Sequence, residues 1–342
     1  MIELHHNQLV ISFPEVHPDA FGSVSFHRTL RMPDDGRIYP LPAGLGKFQL
    51  IHIDNLAKRL PADMVKKGGV LMPIYNAEAM WIGFSGDYPI AIKIATGKIN
   101  AITGKSWKNE LSHHPQDFID ISRQPWLDGF NTEKGIVRQF TAVPMGQGYT
   151  VEEQITGEAE IGGIQVIAWP MKASVYVAMQ EIRRKREERE AKRRRRHGVS
   201  QEPVFYDLPA FLRKESGRTM GVGAGGRITQ KIAEDVYGAD AWDTKYSSRC
   251  FIHMINAPDW RLLTGLPMPR PPITSREYKK MGLPWFKYYG ENTYGLPGAS
   301  ILNRIKSLGF LSDRKEKNTH YFNEHEVITI CRNNGNVRDG DF

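Results

Sequence analysis

Two cysteines in 342 residues, Cys250 and Cys331, are too few for a disulfide framework or a four-thiolate zinc site. That scarcity fits a reducing environment, and a cytoplasmic location is expected. No window approaches the roughly 18 consecutive apolar residues of a spanning helix. Lys93, Lys98 and Asn100 interrupt even the most apolar stretch, so membrane insertion is not expected. The opening residues, Met1 to His6, lack the basic and apolar regions of a secretory signal. No internal repeat of fixed period is visible. His113 and His114 with Asp117 and Asp120 match no zinc spacing and read as a solvated loop entering a helix, so neither a metal nor a cofactor is expected.

What is present is ordinary for a folded chain: 40% hydrophobic and 25% charged residues. The length suits two domains, or one with an appendage. The unusual feature is where the charge lies. The segment from Arg183 to Arg196 holds ten basic residues: Arg183, Arg184, Lys185, Arg186, Arg189, Lys192, Arg193, Arg194, Arg195 and Arg196. Against them stand Glu187, Glu188 and Glu190, so ten minus three leaves +7 of a total of +8. The rest of the chain is close to neutral, and long-range attraction for polyanions belongs to this segment.

Short apolar runs broken by turn residues predict sheet from residue 8 to about 105 and again from Gly135 to Pro170. Pro33 to Gly36 reads as a turn. Ile90, Ile92 and Ile94 alternate with Ala91, Lys93 and Ala95, a half-buried strand, and Thr96-Gly97 leads to a hairpin partner in Lys98 to Ile102. Strands are expected at Val137 to Val143 and Gly162 to Trp169. Thr150 with Glu153, and Thr274 with Glu277, form capping boxes that open short helices.

Residues 172 to 197 predict a helix whose stripe of Val175, Met179 and Ile182 docks its first half while the second projects. Gly198 is a natural stop. Glu181 with Lys185, Arg184 with Glu188, Arg186 with Glu190, Glu188 with Lys192 and Glu190 with Arg194 stand four residues apart, so a solvated, self-paired helix is the plain reading. Arg193 to Arg196 exceed the acids available, which favours a polyanion. The expected class is α+β, mainly antiparallel, in three parts: a strand-rich domain over 1–171, the basic helix over 172–198, and a mainly helical C-terminal domain over 199–342.

Gly221, Gly223 and Gly226 satisfy a glycine-rich phosphate spacing before a helix expected near Arg227 to Val236. No strand is evident ahead of it, so dinucleotide binding is set aside; an anion nest at Gly223, Gly225, Gly226 and Arg227 is the functional option and a structural turn the plain one. Cys250 and His253 are candidates for nucleophile and base. They share a face if the segment is a helix and oppose each other if it is a strand, and a buried thiol is the plain reading. Asp128 joins them as a weak catalytic candidate.

In the C-terminal part, Ala299 to Leu308 reads as a helix with Ile301, Ile305 and Leu308 on one face and Gly309 as its stop. Phe310-Leu311, the polar stretch Ser312 to Asn318, His320 to Phe322 and a capped helix from Asn323 follow. These roughly 35 residues resemble the back half of a MerR or excisionase-type winged helix, which implies a helix in the major groove and a basic wing on phosphate. Over most of the chain, Phe26 to Gly36, Gln124 to Gly129, Gly146 to Glu152 and Gly221 to Asp243 resemble blocks of an uncharacterised family of microbial proteins. That second resemblance implies no activity and no catalytic residue.

Three functions are therefore in play. The leading one is a non-enzymatic binding protein that contacts DNA, RNA or another polyanion through Arg183 to Arg196, helped by Lys306, Arg314, Lys315 and Lys317. The second is an enzyme with a glycine-lined cleft near Cys250, His253, Asp128 or Arg227, which requires those side chains to converge. The third is an interaction subunit whose basic helix docks an acidic protein partner.

Overall fold

In the first two strands, β1 (Ile2–His5) and β2 (Gln8–Ser12), Ile2, Leu4, Leu9 and Ile11 are buried and their neighbours are not. This period of two is what one face against a core requires. The computed structural model describes residues 1–197, 219–286, 295–312 and 335–340. The other strands of four or more residues are β3 (Phe21–Thr29), β4 (Gly44–Lys47), β5 (Val70–Ile74), β6 (Ala79–Ser85), β7 (Ile90–Thr96), β8 (Gly129–Glu133), β9 (Ile136–Pro144), β10 (Ile164–Pro170), β11 (Met220–Thr229) and β12 (Ser248–Asn256). The helices are α1 (Ala62–Lys67), α2 (Val151–Thr156), α3 (Ala173–His197), α4 (Ala257–Thr264), α5 (Ser275–Lys280), α6 (Ser300–Asn303) and α7 (Leu308–Ser312).

The larger sheet runs β1-β2-β3-β6-β9-β11, with β4 beside β3 and β8 beside β9. The second runs β7-β10-β12-β5. Pairing is antiparallel except between β12 and β5 and between β11 and Ile38–Tyr39. One buried cluster takes side chains from both sheets, including Phe26, Ile82 and Phe140 from the larger and Ile92, Val166 and Ile252 from the smaller. The chain is thus α+β and mainly antiparallel, as expected.

Both capping boxes are present, Thr150 with Glu153 and Thr274 with Glu277. The hairpin after Thr96 forms, pairing Ala95 with Asn100 around Gly97 at positive φ. β7, however, is buried on both faces rather than half-buried. Segment 105–117 covers its outer face, where the Lys93 ammonium meets the Asp117 carboxylate at 2.7 Å and the carbonyls of Lys108 and Glu110. His113 to Asp120 also departs from expectation: it leads into a short strand, Ile119–Asp120, paired with β7, and not into a helix.

Residues before and after the basic helix share both sheets. β11 lies against β9, and β12 lies between β10 and β5, so residues beyond 199 supply central strands to both sheets. The helix expected near Arg227 to Val236 is absent, because Met220, Val222 and Ala224 face the core as a strand. The helix expected over Ala299 to Leu308 breaks after Asn303. Gln154 is the reason: its side-chain amide accepts from the Lys306 N–H at 2.6 Å and donates to the Lys306 carbonyl at 3.0 Å. Those backbone groups would otherwise serve a continuous helix. Gly309 is not a stop but lies inside α7, its N–H donating to Asp34 at 2.8 Å.

Candidate nucleic-acid interface

The basic helix is rooted by its first turns. Tyr88 donates its hydroxyl to the Met171 carbonyl at 2.7 Å, and Lys172 donates its N–H to the Ala241 carbonyl at 2.8 Å. Tyr176 is buried against the rings of Tyr88 and His17, with centroids 4.2 and 5.0 Å away. Val175 and Met179 pack beside it on the shared core. The third member of the stripe, Ile182, is 69% exposed, so the body ends before the stripe does. Every residue from Glu181 to Arg189 is exposed, and the helix backbone continues to His197. The first half docks, and the residues from Glu181 to Arg189 stand clear of the body.

Along the projecting part, Glu181 pairs with Lys185 at 3.2 Å, Arg183 with Glu187 at 2.9 Å and Arg184 with Glu188 at 3.7 Å. The Arg183–Glu187 pair was not among those expected, although its spacing of four makes it as readable as the others. Exposed pairs of this kind stabilise a helix only weakly. They are readily exchanged for phosphate. The helical backbone carries Lys192, Arg193, Arg194, Arg195 and Arg196 beyond them.

The other expected contributors lie elsewhere. Lys306 sits between α6 and α7, with its ammonium 5.4 Å from the Phe310 ring centroid. Arg314, Lys315 and Lys317, the later part of the winged-helix resemblance and Gly198 lie outside the described residues.

The anion nest is replaced by a strand. Gly223, Gly225, Gly226 and Arg227 all lie within β11, which opens no helix. Gly226 is glycine because a Cβ there would stand 2.3 Å from the Pro33 carbonyl oxygen. Close backbone passage, not a phosphate, needs the missing side chain. Arg227 donates to Glu133 at 2.6 Å.

The catalytic candidates do not converge. Cys250 and His253 lie on opposite faces of β12, as a strand dictates. Cys250 is fully buried, and burial pushes its thiol up, away from the reactive thiolate. His253 lines a cleft of about 520 Å³ with Lys67, Met145, Gly146, Gly163 and Phe251. Its Nε2 lies 2.9 Å from the Gly68 carbonyl, and burial holds the imidazole at about 4, with Lys67 acting in the same direction. Asp128 is buried elsewhere, accepting from Gln230 at 2.7 Å. Neither Cys250, Asp128 nor Arg227 lines the His253 cleft.

Among the described residues no cluster of three metal-ligating side chains occurs. No helix there is long and apolar enough to cross a membrane. No family model, curated protein or solved structure gives a significant match to the chain.

Proposed function

We propose that the chain binds nucleic acid through the outward half of α3, residues Arg183 to Arg196. The observation that carries this reading is a rooted helix, exposed from Glu181 to Arg189, whose backbone continues through a segment that holds nearly all of the chain's excess charge. Fourteen helical residues extend about 21 Å, a length over which B-form DNA presents about twelve phosphate charges. Arginine suits that surface, since its planar fork donates in pairs to phosphate oxygens. Contacts of this type fix no sequence, so the binding is expected to be electrostatic and largely indifferent to base order. The scatter of Cys250, Asp128 and Arg227 removes the support that convergence would have lent to the enzyme reading of those residues.

Fluorescence anisotropy with a labelled short DNA duplex tests this. Binding is expected at about 50 mM salt and should weaken steeply by about 200 mM, as counterion release requires. Absence of binding at the lower salt, for duplex DNA and for RNA alike, would overturn the proposal.

A further inference from the structure

Along β3, Val24 and Phe26 face the core, so Phe21, Ser23, Ser25 and His27 share the opposite face of the larger sheet. The register carries that face onto both neighbours. Ser12, Val10 and Gln8 of β2 stand beside Phe21, Ser23 and Ser25, while Ser85, Gly83 and Trp81 of β6 stand beside Ser23, Ser25 and His27. Lys47 of β4 pairs with His27. None of β2, β3 and β6 contains an aspartate or a glutamate, so the one charge these positions add is the Lys47 ammonium.

Aromatic rings stand at both ends of the face. Phe21 is 56% exposed at one end. At the other, the half-buried indole of Trp81 lies parallel to the His27 imidazole, with centroids 3.9 Å apart and planes within 3°. Glycines make the room: a Cβ on Gly83 would stand 2.8 Å from the indole, and one on Gly44 3.2 Å. Burial, with Lys47 acting in the same direction, holds His27 at about 4, and the Ser25 hydroxyl lies 2.7 Å from its Nε2. The stacked pair is thus neutral and fixed at neutral pH. From Phe21 to His27 the extended strand covers about 20 Å. Its Phe21 end adjoins the root of α3, where His17 packs on Tyr176 and Asp19 shares a groove with Arg184. The acids at that junction, Asp19 and Asp87, stand beside arginines, Asp87 acting on Arg183.

We propose that this face holds the unpaired bases of a single nucleic-acid strand, with Trp81 and Phe21 as the stacking rings, while α3 holds its phosphates. Every base has a flat π-face, so such stacking is tolerant of sequence, as the arginine contacts are. The serines and glycines between the rings offer a strand neither bulk nor negative charge. Charge and continuity with α3 favour a polyanion over a polypeptide, which would instead add at a sheet edge where backbone groups are free. A duplex keeps its bases inside the stack and cannot lay them on a ring. The inference rests on the nucleic-acid reading of α3 and adds to it a preference for unpaired bases, which phosphate contacts alone cannot supply.

Anisotropy with the full chain at one salt concentration compares labelled oligothymidylate of about 15 nucleotides, an abasic strand of equal length and a duplex. Oligothymidylate is expected to bind about tenfold or more tighter than the abasic strand, which carries the same phosphates without bases. Trp81→Ala should remove most of that margin and leave duplex affinity unchanged, whereas Trp81→Phe keeps a ring and should keep most of it. Phe21→Ala should remove part of the margin with an unchanged thermal midpoint, since Phe21 is 56% exposed, so a folding defect in Trp81→Ala cannot decide the outcome alone. Equal affinity for the thymidine and abasic strands, or a margin unaltered in both alanine variants, leaves the face to another partner and overturns the proposal while sparing the reading of α3. Failure to bind any of the three probes overturns both.

Discussion

Lys93→Ala is expected to lower the free energy of unfolding by about 3–5 kcal/mol, the loss typical when one partner of a buried ion pair is removed. Lys93 is 1% exposed within β7. Its ammonium joins Asp117 and the carbonyls of Lys108 and Glu110, between the rings of Trp107 and Trp169 at 5.8 Å each. Alanine deletes the charge, the packing of the stem and the cover over the strand together. Asp117 is left in a site where burial already outweighs Lys93 and holds its carboxyl above the usual range. Removing Asp117 as well should therefore recover part of the loss. Urea titration of Lys93→Ala and of Lys93→Met with Asp117→Asn measures both effects. A shift below about 1 kcal/mol in the single variant would place Lys93 among weakly coupled surface pairs and contradict its reading as a clasp between strand and loop.

Asp128 should make stability fall as pH rises through the mildly acidic range. Burial pushes its carboxyl up to about 7, against the opposing effect of the Trp126 and Gln230 side-chain hydrogen bonds. The ordinary value is 3.8, so the folded chain holds a proton that the unfolded chain has released. The stabilisation is complete below about pH 4 and is lost as pH climbs to about 7, on the order of 4 kcal/mol over the window. Asp120, raised to about 6 mainly by burial, adds to the same fall. Asp128→Asn cannot titrate, and its decline between the two pH values should be smaller by most of that amount. The comparison is one of slopes, because asparagine offers one acceptor where Asp128 meets two donors and can lose stability at every pH. Parallel profiles for the two proteins would show that Asp128 does not change its proton affinity on folding.

What could be read from the chain was what neighbours in sequence decide. A capping box needs four residues, and both proposed boxes formed. The Thr96-Gly97 turn and the rooted helix are local as well, the latter because Val175 and Met179 repeat at helical spacing while the charge run announces solvent. The failures are all long-range. β11 looked like a glycine loop, although Met220, Val222 and Ala224 alternate with glycines at the period of a strand. Its glycines answer to residues distant in the chain, Gly226 to Pro33 and Met32 and Gly225 to Thr141, where no local pattern could point. The break after Asn303 is made by the side chain of Gln154. Lys93 gave a half-buried pattern because nothing in β7 reveals that segment 105–117 folds back over it.

The sites divide the same way. His253 was singled out, but its supposed partner Cys250 faces the opposite side of the strand. The face around Ser25 carries no motif, because Trp81, which completes it beside His27, is distant in sequence.

The most direct measurement is the dependence of duplex affinity on salt for the wild-type chain and for a variant with Arg193, Arg194, Arg195 and Arg196 all changed to Gln. Each phosphate contact contributes about 0.9 to the slope of log affinity against log salt. If the outward end of α3 is the interface, the variant's slope should be shallower by about 3 to 4, with weaker binding at low salt and an unchanged thermal midpoint. Equal slopes in the two proteins would contradict the account.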